Sequence, residues 1–272
     1  MEQTFITLVP TGGLCNRMNA ILSAIAVVHK FKERYNFSIY WHKNRECYAD
    51  FDELFLPIKE NYMTIGKLSK YYLIGGGKRY LYFPQTIRKF MFDASFNGSE
   101  VFDLDFTALM DKKKKVYIKS SNRFCPWGIG RSHGKYFRPI PIIEEDITAV
   151  TEQYAPNTIG VHVRRTDNDW AIKSSPTEKY VALMKKEIEQ DPSCKFYVAS
   201  DDGQEKKRLR DLFGERIITH EWDLSRNSVK GMQNAVAELF CLGRTRKIIG
   251  SDHSTYSTSA AHLYDIPITI VK

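Results

Sequence analysis

The chain has no CxxC pair, and its five cysteines, Cys15, Cys47, Cys125, Cys194 and Cys241, are odd in number and widely scattered. That spacing excludes a zinc knuckle and a disulfide scaffold, and it points to free thiols in a reducing, cytoplasmic setting. No stretch is long and apolar enough to span a bilayer, and Met1 to Pro10 lacks the basic-then-apolar order of a leader. Internal repeats and low-complexity linkers are also missing. Acid is in short supply: 40 Lys and Arg stand against 32 Asp and Glu, a formal charge of +8. Such a surface draws anions in general, whether nucleic acid, lipid head group or nucleotide diphosphate. Neither an RRM-like aromatic–basic motif nor a zinc spacing is present, which argues against nucleic acid.

What remains is an ordinary folding chain of 272 residues, long enough for one large domain or two small ones. Phe5 to Val9 reads as an apolar strand, Thr11-Gly12-Gly13 as a turn, and Asn16 to Tyr35 as a helix, followed by a strand at Ser38 to Trp41. The segment from Asn44 to Arg138 is rich in Tyr, Phe and Lys, broken at Gly75-Gly76-Gly77, with a strand expected at Val116 to Ile118. The last part is regular. Strands are expected at Thr158–His162, Phe196–Ala199, Arg216–Ile218, Lys247–Ile249 and Ile268–Val271. Helices are expected at Thr177–Gln190, Asp202–Phe213, Ser228–Leu242 and Thr255–Leu263. This alternation predicts an α/β chain with parallel sheet covered on both faces. Pro139-Ile140-Pro141 is the expected hinge between an N-terminal lobe, 1–140, and a C-terminal lobe, 141–272. In such sheets ligands sit at the carboxyl ends of strands.

Three motifs fall at those ends. In Gly12-Gly13-Leu14-Cys15-Asn16-Arg17, glycines permit close backbone approach and the next helix aims its positive N-terminus at the same place. It lacks the GK[ST] ending of a P-loop and is not GxGxxG, so an ordinary tight turn is the alternative. In Gly160-Val161-His162-Val163-Arg164-Arg165-Thr166-Asp167, strand alternation puts His162 and Arg164 on one face. Two adjacent arginines there call for an anion, and the guanidinium fork suits phosphate oxygens. Either Arg164, assisted by Arg165, binds a diphosphate, or Asp167 pairs with them and ties the loop. In Gly250-Ser251-Asp252-His253-Ser254-Thr255-Tyr256-Ser257, hydroxyls and bare N–H groups at a helix N-terminus make an anion site or a plain N-cap. Ser200-Asp201-Asp202 either caps the next helix or meets a ribose or acceptor.

The arginine motif, together with Tyr197-Val-Ala-Ser-Asp-Asp202 and Ser228-Val-Lys-Gly231, resembles the α1,6-fucosyltransferases. The Gly12–Arg17 loop looks like the first glycine-rich loop of the wider fucosyltransferase superfamily. That resemblance implies a GT-B-like fold of two facing Rossmann-type lobes. It also implies GDP-fucose held mainly by the C-terminal lobe and an inverting transfer needing neither metal nor cofactor, with the N-terminal lobe as acceptor side. On this basis Arg164 grips the β-phosphate, His162 lies against the nucleoside, and Ser254 and Thr255 complete the phosphate cradle. Glu238 falls near the acidic residue that pairs with guanine, and Gly12, Gly13, Asn16, Arg17 and Arg165 complete the donor-binding set. The chain departs from the family where Asn168 and Ile172 replace its lysine and glutamate. An inverting transfer wants a carboxylate to take the acceptor proton, which leaves Asp169, the freer side chain, and Asp167. The expected partner is an oligosaccharide or glycolipid acceptor. The rival functions are transfer from another GDP-sugar and a non-enzymatic polyanion-binding module. Tyr71, Tyr72, Tyr80, Tyr82 and Phe83, with Lys78 and Arg79, read as peripheral contact with the inner membrane face, as a carbohydrate platform or as a partly buried loop.

Overall fold

Apolar strands alternating with helices build two parallel five-stranded sheets, each in its own unit. The computed structural model describes residues 3–67, 85–102, 104–112, 114–125, 133–166 and 169–272. The glycine break at Gly75–Gly77 and the aromatic stretch from Tyr71 to Phe83 lie outside the described residues. Unit 1 comprises Met1–Glu53 and Pro57–Gly130; unit 2 comprises Leu54–Leu56 and Arg131–Lys272.

Unit 1 runs β1 (Thr4–Pro10), α1 (Leu14–Phe31), β2 (Tyr35–Trp41), β3 (Met63–Lys67), α2 (Gln85–Met91), β4 (Ala94–Asn97), α3 (Phe106–Lys112) and β5 (Lys115–Ser120). All pairings are parallel and the strand order is β3-β2-β1-β5-β4. Helix α1 is shorter than its periodicity predicts. It stops at Phe31, Lys32 turns to φ 51°, and Tyr35 opens β2 instead of closing the helix. Tyr35 is wholly buried, with its ring edge-on to Phe31 and Phe106, so core packing claims a residue that helical spacing also fits.

Unit 2 runs α4 (Pro141–Thr151), β6 (Ile159–Val163), α5 (Asp169–Ser174), α6 (Thr177–Gln190), β7 (Phe196–Ser200), α7 (Gly203–Phe213), β8 (Ile217–Ile218), α8 (Val229–Gly243), β9 (Ile248–Ser251), α9 (Thr255–Tyr264) and β10 (Ile268–Val271). Its strands are parallel in the order β10-β9-β6-β7-β8. Ile159, Val161, Val163, Phe196, Val198 and Ile249 pack against Tyr180, Met184 and Leu209 from the covering helices. The residues expected as a hinge are ordered parts of this unit. Pro139 forms a bridge with Phe55, and Pro141 opens α4 at the position where a missing N–H costs nothing.

Both sheets reverse direction beside their first strand. In unit 1 the chain moves from β1 to β2 and β3 on one side, and β5 and β4 lie on the other. In unit 2 it moves from β6 to β7 and β8, and β9 and β10 lie opposite. The crevice outside such a switch point is where open α/β sheets bind ligands. The Gly12–Gly13 turn follows β1 and the arginine pair follows β6.

Candidate functional site

The unit 2 switch point is built from the loops after β6 and β9. Ser251, the fully buried last residue of β9, joins them. Its Oγ accepts from the Arg164 backbone N–H at 2.9 Å, donates to the His162 carbonyl at 3.2 Å and lies 2.6 Å from Tyr180 Oη. Beyond it, α9 begins at Thr255 with Ser254 as N-cap, whose own side chain makes no capping hydrogen bond. Gly250 allows this closeness: a Cβ there would sit 2.5 Å from Ser257 Cβ.

The two arginines, in the loop after β6, diverge. Arg164 keeps to the mouth, with Nε 3.1 Å from Asp201 Oδ2 and side-chain exposures of 18% and 19%. Arg165 turns inward. It donates to Thr177 Oγ1 at 2.9 Å, lies 3.7 Å from Glu205 Oε1, and stands over the Tyr180 ring. Asp201 orders the loop through the Arg165 N–H at 2.7 Å and Thr166 Oγ1 at 2.7 Å. Among the described residues this carboxylate does the tying first ascribed to Asp167, which lies outside them. The helix cap belongs to its neighbour, since Asp202 accepts from the Gln204 N–H at 2.8 Å. Asp169 is the first residue of α5.

His162 is buried beneath this mouth, with Nδ1 2.7 Å from Ser257 Oγ and its ring 4.9 Å from that of Tyr256. Burial, reinforced by Arg164, pushes its pKa down to about 3, so the imidazole is neutral at ordinary pH. Glu238 is also interior. It accepts from Lys206 Nζ at 3.2 Å, yet burial outweighs that ammonium and lifts its pKa to about 7. One helical turn earlier Asn234 donates to the Asp223 carbonyl at 2.9 Å, and its buried Oδ1 has no partner among the described residues. The structure thus gathers His162, Arg164, Ser254 and Thr255 around one switch point. It sets Glu238 deeper and commits Arg165 to the interior.

In unit 1, Gly12 takes φ 79°, a backbone region glycine enters freely. Arg17 is wholly buried. Its guanidinium donates to the Gly12 carbonyl at 2.8 Å, to the His42 carbonyl and to Asn44 Oδ1 at 2.9 Å, and stacks over Trp41 at 5.1 Å. It clamps the β1 turn to the segment after β2. Asn16 is half-buried beside Gly12. Sequence reading passed over Asp201's role, Ser251 as a hub, and Trp170, which stands 75% exposed on α5. None of the three carries a local pattern that betrays its partner.

No protein-family model matches the chain, and no curated protein matches it over its sequence. Solved structures do. Fucosyltransferase NodZ from Bradyrhizobium aligns over 98% of this chain and 95% of its own, with TM-score 0.63 and 13% identity. POFUT1 in complex with GDP aligns over 100% and 99%, with TM-score 0.61 and 13% identity. A variant of Arabidopsis thaliana FUT1 in complex with GDP aligns over 99% and 70%, with TM-score 0.61 and 14% identity. The chain shares the fold of solved fucosyltransferases. A NodZ structure soaked with GDP-fucose is among those it resembles. Among the described residues no helix is long and apolar enough to cross a membrane.

Proposed function

We propose that the chain is an inverting, metal-independent glycosyltransferase that moves fucose from GDP-fucose to a glycan hydroxyl. The C-terminal lobe, 141–272, holds the donor, and the N-terminal lobe, 1–140, serves the acceptor. One observation carries this reading: Arg164, braced by Asp201, and the N-terminus of α9 flank the β6–β9 switch point.

As the bond from sugar C1 to phosphate oxygen breaks, negative charge grows on the β-phosphate. Arg164, Ser254, Thr255 and the first N–H groups of α9 stabilise it, and a preorganised donor of this kind contributes roughly 3–4 kcal/mol. Guanine presents adjacent N1–H and N2–H donors. Asn234 Oδ1 and the Glu238 carboxylate, one turn apart on α8, are the acceptors that answer them. Asp169, with Asp167 as second choice, takes the proton of the attacking hydroxyl. Buried His162 positions α9 through Ser257 and lies under the nucleoside. In unit 1, Arg17 fixes the Gly12–Gly13 turn through the Gly12 carbonyl.

The test is a thermal-shift comparison of GDP, UDP and ADP, followed by hydrolysis of GDP-fucose against GDP-mannose. Selective stabilisation by GDP is expected, rising with ligand concentration as linkage requires, together with faster turnover of GDP-fucose. Equal response to all three nucleotides removes the guanine reading, and preference for GDP-mannose replaces the sugar.

A further inference from the structure

We propose that unit 1 carries a second binding site, for a carboxylate-bearing sugar, in the cavity along the outer edge of β4. The cavity has a volume of about 430 Å³, within the roughly 300–1,000 Å³ usual for small-ligand sites. Arg88, Lys89, Phe92, Ser95 and Asn97 line it.

Arg88 is the centre of the argument. It is 8% exposed, and Nη1 donates to Ser95 Oγ at 2.8 Å while the guanidinium lies 5.6 Å from the Tyr117 ring centre. Its buried Nε has no hydrogen-bond partner among the described residues. A buried guanidinium lacking a counter-charge is strongly unfavourable. Two acids, Asp93 and Glu100, also line the cavity, and each has one oxygen bonded to backbone. Asp93 Oδ2 accepts from the N–H groups of Lys114 and Lys115 at 2.8 and 2.9 Å. Glu100 Oε2 accepts from the Asn97 N–H at 3.0 Å. Lys119, the cross-strand partner of Asn97, has its pKa lowered by burial, with the Arg88 charge adding to the effect against Glu46. The Arg88 and Lys119 charges therefore act on each other at this edge of the sheet.

The remaining lining specifies what bears the anion. Phe92 supplies an apolar wall, while Ser95 and Asn97 offer a hydroxyl and an amide. An apolar face with a few directed polar groups suits a pyranose ring, and the arginine fork takes a carboxylate on two prongs. A uronic acid satisfies all of these together. Inorganic phosphate satisfies the arginine alone. This site stands apart from the donor reading and does not depend on it.

The experiment titrates the full chain with glucuronate, glucose and inorganic phosphate, following the Arg88 Nε–H resonance and the melting temperature, beside Arg88→Met. Glucuronate should shift the resonance saturably and raise the melting temperature, and glucose should do neither. In plain buffer Arg88→Met should melt about 2 °C or more above the parent, because an unpaired buried charge is gone. It should no longer respond to glucuronate. A purely structural arginine gives the opposite: the variant melts lower and the parent shows no saturable shift. Phosphate acting as strongly as glucuronate would reduce the site to a general anion hole and overturn the sugar. Should Arg88→Met not fold, the resonance in the parent decides alone.

Discussion

At the scale of single residues, Arg164 and Arg165 are neighbours with opposite duties. Arg164→Ala removes an ion pair whose side chains are 18% and 19% exposed, and it should abolish turnover. Arg165→Ala strips a buried guanidinium from Thr177 and Glu205 and should destabilise the fold by about 3 kcal/mol. Urea unfolding beside an activity assay separates the two, and a stable, active Arg164→Ala refutes the assignment. The buried titrating groups give a second forecast. Glu238 has a folded pKa of about 7 against an ordinary 4.5, so the native state holds a proton that the unfolded chain releases. Its contribution is full below the ordinary value and is lost as pH rises through about 7. His162 works the other way: with a folded pKa of about 3 against 6.5, its contribution is full above 6.5 and is lost as pH falls towards 3. Glu238→Gln should lack the decline on the alkaline side while keeping the acid limb, as read from unfolding free energy against pH.

At the scale of elements, the placement of α9 follows from Gly250. A methyl group there meets Ser257 Cβ at 2.5 Å, so Gly250→Ala must push α9 off the end of β9. We expect at least a tenfold loss in GDP affinity, together with about 1–3 kcal/mol of stability, the cost of overpacking; calorimetry of GDP binding and a denaturation curve check both. The alternating pattern from Thr158 onward made this architecture legible in the sequence. Ile268–Val271 and Thr177–Gln190 have the expected bounds, the other late elements that were expected differ by a residue or two at their ends, and α5 was not expected. Legibility failed for physical reasons elsewhere. Strands β3 and β4 are short, and β4 alternates half-buried with exposed positions on an edge, so neither shows the apolar run of a central strand. The arginine motif announced an anion site because adjacent guanidinium groups are rare without a partner. The partner itself, Asp201, lies 36 residues from Arg165, and no local spacing reveals such a pair.

At the scale of the molecule, three residues of the early chain belong to the late unit. Leu54–Leu56 joins unit 2, with Phe55 buried edge-on against Phe137 at 5.4 Å and main-chain bonds from Leu56 to Arg138 and from Ile140 to Leu54. Phe55→Ala should therefore cost about 3–5 kcal/mol, though the residue lies inside the unit 1 stretch of sequence. Native-state hydrogen exchange should show lost protection around Phe137 and Ile140. Loss confined to β1 and β2 would contradict this.

The same three residues govern the order of events on the ribosome. Synthesis delivers Leu54, Phe55 and Leu56 more than seventy residues before Phe137 and Pro139 emerge to cover them. Until then the Leu-Phe-Leu triplet lacks the partners that bury Phe55 in the folded chain.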